Sequence, residues 1–161
     1  VQEQLIATLN IYPKVKGIQV LNDMGDYMFS RYRGQWIPDS PGRRKAIIQR
    51  LRTWNPFSNS SPVEGITRAI RAFHEPDKKI SIYVFGDEFT GKSIEEVVDT
   101  VDRINQVGAA GERLVRIHAI GFPVQFSQRE ELQKTGIRFA TLMRELTFRN
   151  GGTFVGLREF R

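Results

Sequence analysis

Apolar positions along this chain follow two rhythms. In some stretches they recur every three or four residues, as on one face of a helix. In others they run together, as in a strand covered on both faces. Residues 2–9 carry Leu5, Ile6 and Leu9 at helical spacing, and Pro13 limits that helix. Residues 17–21 read as a strand, and 22–25 are turn chemistry. Either 27–32 or 35–37 supplies a short partner strand, and 38–42 reads as a loop. A helix is predicted over 45–54, with Ile47, Ile48, Leu51 and Trp54 on one stripe. A polar loop at 55–62 leads to a helix at 63–73, with Val63, Ile66, Ile70 and Phe73 inward.

The second half alternates more cleanly. A strand at 79–85 is followed by a loop at 86–92. The run Ser93-Ile94-Glu95-Glu96 is a capping box that opens a helix reaching about residue 107. A strand at 115–121, a helix at 139–149 and a last strand at 153–157 follow. Ser127 ahead of Glu130 and Glu131 predicts a further cap. Strands separated by helices imply an α/β, Rossmann-like fold, a mostly parallel sheet covered by helices on both faces. A chain of 161 residues suits one core, so residues 1–161 are read as one domain.

Composition narrows the chemistry. No apolar run approaches the roughly 20 residues of a membrane span. The absence of cysteine excludes disulfides, thiolate metal sites and a cysteine nucleophile. The net charge is +6, densest at Arg43-Arg44-Lys45 and continuing to Arg50 and Arg52. Aromatic residues are not interleaved there, which argues for a solvated helix face and against nucleic acid. His118 inside a strand reads as structural, His74 as a solvated helix end, and Trp36 and Trp54 as core anchors. No acid/base pair or nucleophile set emerges, so the chain reads as a binding module and not an enzyme.

Two loops stand where such sheets hold ligands: Asn59-Ser60-Ser61-Pro62, and the one at 86–93. The second fits G-x-x-x-x-G-K-S, through Gly86, Gly91, Lys92 and Ser93, between a strand and a helix. That is the context of a phosphate-binding P-loop, and it is the alternative reading. Against it, Asp87 and Glu88 lie inside the cradle and Glu95 and Glu96 on the next helical turn, where an anion should bind. The later long strand offers no aspartate for magnesium.

From residue 63 to 157 the chain resembles the later two-thirds of a von Willebrand factor A (VWA) domain. The resemblance rests on the Ser60-Ser61-Pro62 loop before a helix and on Ile82-Tyr83-Val84-Phe85-Gly86-Asp87. It rests also on Val115-Arg116-Ile117-His118-Ala119-Ile120-Gly121-Phe122, and on Gly151-Gly152 before a short strand. It implies a protein-interaction module with a metal-ion-dependent adhesion site. In that site Ser60 or Ser61 would replace the family's threonine, and Asp87 would be the distal aspartate. Magnesium, or another divalent cation, would bind there if the first strand is present, and an acidic side chain of a protein partner would complete its coordination. The family's Asp-x-Ser-x-Ser loop is absent from this sequence. The opening residues look like the middle of a helix, so one explanation places the first strand upstream. The position between residues 18–21 and 80–85 should then be vacant, or filled by a segment outside this sequence. The other explanation makes Asp23-Met24-Gly25-Asp26-Tyr27 a decayed metal loop. In that case the two strands should pair directly, with Asp23 approaching Asp87 and Ser61.

Overall fold

The computed structural model describes residues 1–123 and 130–158. The two longest apolar runs make its centre. Strands β3 (Ile80–Gly86) and β4 (Val115–Gly121) pair in parallel along their whole length, from Ile80 opposite Val115 to Gly86 opposite Gly121. The short β5 (Phe154–Gly156) adds to the far side of β4, also in parallel, so the order is β3-β4-β5. Helices α3 (Val63–Phe73), α4 (Ile94–Ile104) and α5 (Glu130–Arg149) bury their apolar stripes against one face of this sheet. There Ile70, Val101, Val115, Ile117, Leu142, Met143 and Leu146 are fully enclosed. Fully burying one such side chain contributes roughly 1.5–3 kcal/mol. The opposite face carries half-buried Tyr83, Phe85, His118 and Ile120.

The first third builds a second, smaller core. Strand β1 (Gly17–Ile18) pairs antiparallel with β2 (Ile37–Pro38). Helices α1 (Gln2–Ile11) and α2 (Pro41–Leu51) pack together beside them. Met28, Ile37 and Ile47 form the centre, with Leu5, Ile18, Leu51 and Trp54 around it. Both candidate partner segments contribute, since Leu21 also bridges Tyr27. The regular ladder stops at Ile18 because Gln19 takes over. Its side-chain amide donates to the carbonyls of Tyr32 and Gln35, and its side-chain oxygen accepts from the Val20 N–H.

Several boundaries differ from the sequence expectation. Helix α2 starts at Pro41 inside the expected loop, because Ser40 caps it through the Arg43 N–H and proline at the first helical position needs no donor. Helix α4 ends at Ile104, where Asn105 turns inward. Its fully buried amide donates to the Val115 carbonyl and to Asn150 Oδ1, each at 2.7 Å, and its oxygen accepts from the Val115 N–H. Of the predicted capping box, the Ser93 half forms, accepting from Glu96 N at 3.1 Å. Helix α5 begins at Glu130, well before residue 139. The cap predicted at Ser127 lies outside the described residues.

Two electrostatic expectations are also corrected. Arg44 is not part of a solvated basic face. It forms a two-pronged pair with Asp39, both bonds 2.7 Å, and also donates to the carbonyls of Leu9 and Tyr12 at the end of α1. These bonds, with that from the Val15 N–H, hold the Asp39 pKa down at about 2. His74 is not solvated at its Nε2, which is enclosed without a hydrogen-bond partner. His118 does have a structural place: it stacks on Tyr83, and its Nδ1 accepts from the Thr153 N–H.

Candidate functional site

Parallel strands present their following loops at one edge of the sheet. Here β3 delivers loop 86–93 to that edge, and loop 55–62 arrives beside it as α3 begins. The two loops are bonded to each other. Thr90 donates its N–H to the Ser60 carbonyl at 3.0 Å, and its hydroxyl to the carbonyl of Asn59 at 3.0 Å.

The serine loop is folded on its own side chains, as short polar residues allow. Ser58 Oγ accepts from Ser60 N, and Asn59 Oδ1 accepts from Ser61 N. Ser60 takes a φ of 54°, a left-handed conformation uncommon outside glycine. Ser61 is nearly buried. Asp23 clasps this loop from behind. Its carboxylate accepts from Ser58 Oγ at 2.6 Å and from Asn59 N at 3.1 Å, and its carbonyl accepts from Gly65 N at 2.7 Å. A Cβ at Gly65 would stand 2.5 Å from the Asn22 carbonyl, so only glycine permits this approach. Asp23 is thus engaged with residues 58, 59 and 65, and β1 does not pair with β3.

Asp87 stands at the surface at the end of β3. Its pKa is raised, first by partial desolvation and then by the neighbouring charge of Glu88. A bound cation would reverse that balance. Among the described residues, no three carboxylate, imidazole or thiolate side chains gather as an ion-binding group. Magnesium takes six oxygens in a near-octahedral shell. Asp87 with the Ser60 and Ser61 hydroxyls offers only part of such a set, so these residues alone do not fit the ion.

The far wall of loop 86–93 is packed onto α5. Phe89 is fully buried, and its N–H donates to the Thr135 carbonyl at 3.2 Å. The Arg138 guanidinium lies 5.3 Å from the centre of the Phe89 ring and donates to the carbonyls of Gly91 and Lys92. A Cβ at Gly91 would meet that ring at 2.4 Å. The glycine of the G-x-x-x-x-G-K-S pattern therefore makes room for Phe89. The amides of Phe89 and Thr90 are already donated, and Ser93 caps α4. As folded, the loop offers no open amide cradle at these positions, although Lys92 is exposed.

The sequence brought Ser60, Ser61 and Asp87 to one edge, but did not reveal Thr90, Phe89 and Arg138 as the groups that fix them. One signal was present: Phe89 is a lone large apolar residue in a polar loop, as a buried plug would be.

Comparison with solved structures fixes the architecture. A von Willebrand factor type A protein from Catenulispora acidiphila superposes with a TM-score of 0.64 over 98% of this chain, at 11% identity. The fold is that of a von Willebrand factor type A domain. The conserved hypothetical protein BatB from Bacteroides thetaiotaomicron matches with a TM-score of 0.55 and 14% identity, over 98% of this chain and 78% of its own. The present chain spans 34% of the Catenulispora protein's length. No family model matches the sequence, and no curated protein matches it. At these identities the likeness speaks for the VWA fold. Function has to be argued from the site.

Proposed function

We propose that this VWA-like chain is a protein-interaction module, not an enzyme, and that its contact face is the edge formed by loops 55–62 and 86–93. The observation that carries this reading is the bonding of Thr90 to Asn59 and Ser60, which fixes both loops at the ligand-presenting end of β3. The face is pre-organised: Asp23 clasps one loop, and Phe89 with Arg138 pins the other. A fixed surface loses little conformational entropy when a partner docks. Exposed Phe57 lies within the first of these loops, its carbonyl bonded by Asn22, and offers an aromatic anchor. A divalent ion would belong to this face only with further oxygen ligands, from a partner's carboxylate or from another segment. Asp87 would then be its carboxylate within this chain, and Ser60 and Ser61 its hydroxyl donors.

The test compares immobilised wild-type chain with the Asp87→Arg/Glu88→Arg double variant and with Phe148→Ser, a change at an exposed position on α5. Proteins from extracts of the cell that makes the chain are retained, then eluted first with chelator and then with salt. Partners kept by wild type and Phe148→Ser but lost by the charge-reversed variant support the assignment. Retention indifferent to the charge reversal refutes it. Elution by chelator assigns the ion to the contact.

A further inference from the structure

Charge is unevenly shared between the two cores. Residues 1–62 hold nine lysines and arginines against four acidic residues, so they carry nearly all of the net +6. Part of this excess gathers in the corner where α1 ends and β1 begins. The Val15 N–H donates to Asp39 Oδ2 at 3.0 Å and Gly17 pairs with Pro38, which lays residues 14–17 beside the start of α2. Arg43 reaches back to the same corner and donates to the Pro38 carbonyl at 3.4 Å. Lys14 stands close enough to Asp39 for its charge to favour the ionised carboxylate. Asp39 does not neutralise these cations, because Arg44 holds both of its oxygens and the carboxylate is enclosed. Lys14, Lys16, Arg43 and Lys45 are all exposed, and among the described residues none of them is in an ion pair. Ile11, at the end of α1, is 64% exposed, and Pro13, Pro38 and Pro41 are exposed as well.

We propose that this corner, with the unpaired cations Lys14, Lys16, Arg43 and Lys45 and the exposed Ile11 beside them, adsorbs to an anionic membrane surface. Cations left without partners are drawn to a plane of negative headgroups, and each adds to the attraction within a Debye length of it. Three of the four are lysines. Their compact, strongly hydrated charge suits a diffuse anionic surface better than the two-pronged recognition of one phosphate or carboxylate, which favours arginine. Exposed isoleucine and proline supply apolar area that enters the boundary between headgroups and acyl chains, and binding of this kind scales with that area plus the charge. Nucleic acid is the poorer fit. Single strands are held by stacking on exposed rings, and the one ring in the corner, Tyr12, is half-buried against Tyr83. Among the described residues no helix is long and apolar enough to cross a membrane, so the contact is peripheral. The inference rests on the charge of the smaller core and is independent of the proposed contact face.

The test is co-sedimentation with vesicles of phosphatidylcholine alone and of equal parts phosphatidylcholine and phosphatidylglycerol. Wild type is compared with Lys14→Glu/Lys16→Glu, with Ile11→Ser and with a control, Lys79→Glu/Lys134→Glu. The control changes the net charge by the same amount at exposed positions beside β3 and on α5. Far-UV spectra and thermal midpoints matching wild type show that the variants, all at exposed positions, are folded. The wild-type chain binds the mixed vesicles, releases as salt is raised, and ignores phosphatidylcholine alone. A lysine near such a surface is worth about fivefold in binding, so Lys14→Glu/Lys16→Glu weakens it by about 25-fold or more. Ile11→Ser weakens it by about threefold or more, and the control by less than about threefold. No binding to the mixed vesicles, or equal losses from the control and the Lys14→Glu/Lys16→Glu pair, overturns the proposal. Tighter binding to duplex DNA than to the mixed vesicles, lost with Lys14→Glu/Lys16→Glu and indifferent to Ile11→Ser, overturns it in favour of nucleic acid.

Discussion

Phe89→Ala is the perturbation that most directly probes how the contact face is held. The ring has no solvent exposure, lies against Arg138, and fills the space that Gly91 leaves open. Truncating a buried phenylalanine to alanine costs about 3–5 kcal/mol, part transfer energy and part cavity. Here the lower end applies, because loop 86–93 can collapse into the space and the Phe89 N–H can still reach the Thr135 carbonyl. The cation–π attraction between Arg138 and the ring, worth roughly 0.5–1 kcal/mol, disappears as well. The expected total is about 3.5–4 kcal/mol. Urea unfolding should show it as a lower midpoint with an unchanged slope. Amide exchange should show a local component, with residues 87–92 losing protection before the β4 core does. A loss below about 1 kcal/mol, with loop protection unchanged, would refute the idea that Phe89 pins the loop to α5.

Other expectations concern single side chains. Asp39 has a pKa of about 2 in the fold, against 3.8 ordinarily, so its pairing with Arg44 stabilises fully above the unfolded value and is lost as pH falls through about 2. The shift corresponds to roughly 2 kcal/mol. Asp39→Asn should remove about that much stability at pH 7 in urea unfolding and flatten the loss between pH 4 and pH 2; an unchanged acid profile would contradict the assignment. Lys92→Ala should leave any interaction with ATP and magnesium unchanged in titration calorimetry, because the wild type is expected to show none. Saturable ATP binding that vanishes with Lys92 would restore the P-loop reading. Asn105→Ala should cost about 2–3 kcal/mol, since it removes the partners of the Val115 backbone groups and of Asn150 Oδ1 in the core. A cost under about 0.5 kcal/mol in urea unfolding would show that water replaces the amide.

The parallel half of the fold was legible because its signals agree. Uninterrupted apolar runs at 80–85 and 115–121 alternate with helical stripes at 63–73 and after Ser93, and each is a long element whose pattern survives tertiary context. The first third was less legible because its structure depends on side chain–backbone bonds. Periodicity does not announce that Gln19 will replace a ladder, or that Ser40 and Pro41 start a helix inside an apparent turn. Charge was misleading for a similar reason: Arg44 sits in a basic run, but its partners, Asp39 and the carbonyls of Leu9 and Tyr12, come together only in space. In the site, Ser60, Ser61 and Asp87 could be placed on one edge by topology. The bonds of Thr90 are long-range contacts without a local signature, and the packing of Phe89 shows locally only as a lone large apolar residue in a polar loop.

If the Ser60–Asp87 edge is where this VWA-like domain meets a protein partner, site-specific photo-crosslinking should capture that partner there. A benzophenone side chain replaces exposed Phe57 in one protein and exposed Phe148 in another, and each is irradiated in extract from the cell that makes the chain. Crosslinked partner is expected from position 57 and none from position 148, and the product should be lost when Asp87→Arg is added. Crosslinking from position 148 but not from 57, or a position-57 product indifferent to Asp87→Arg, would contradict it.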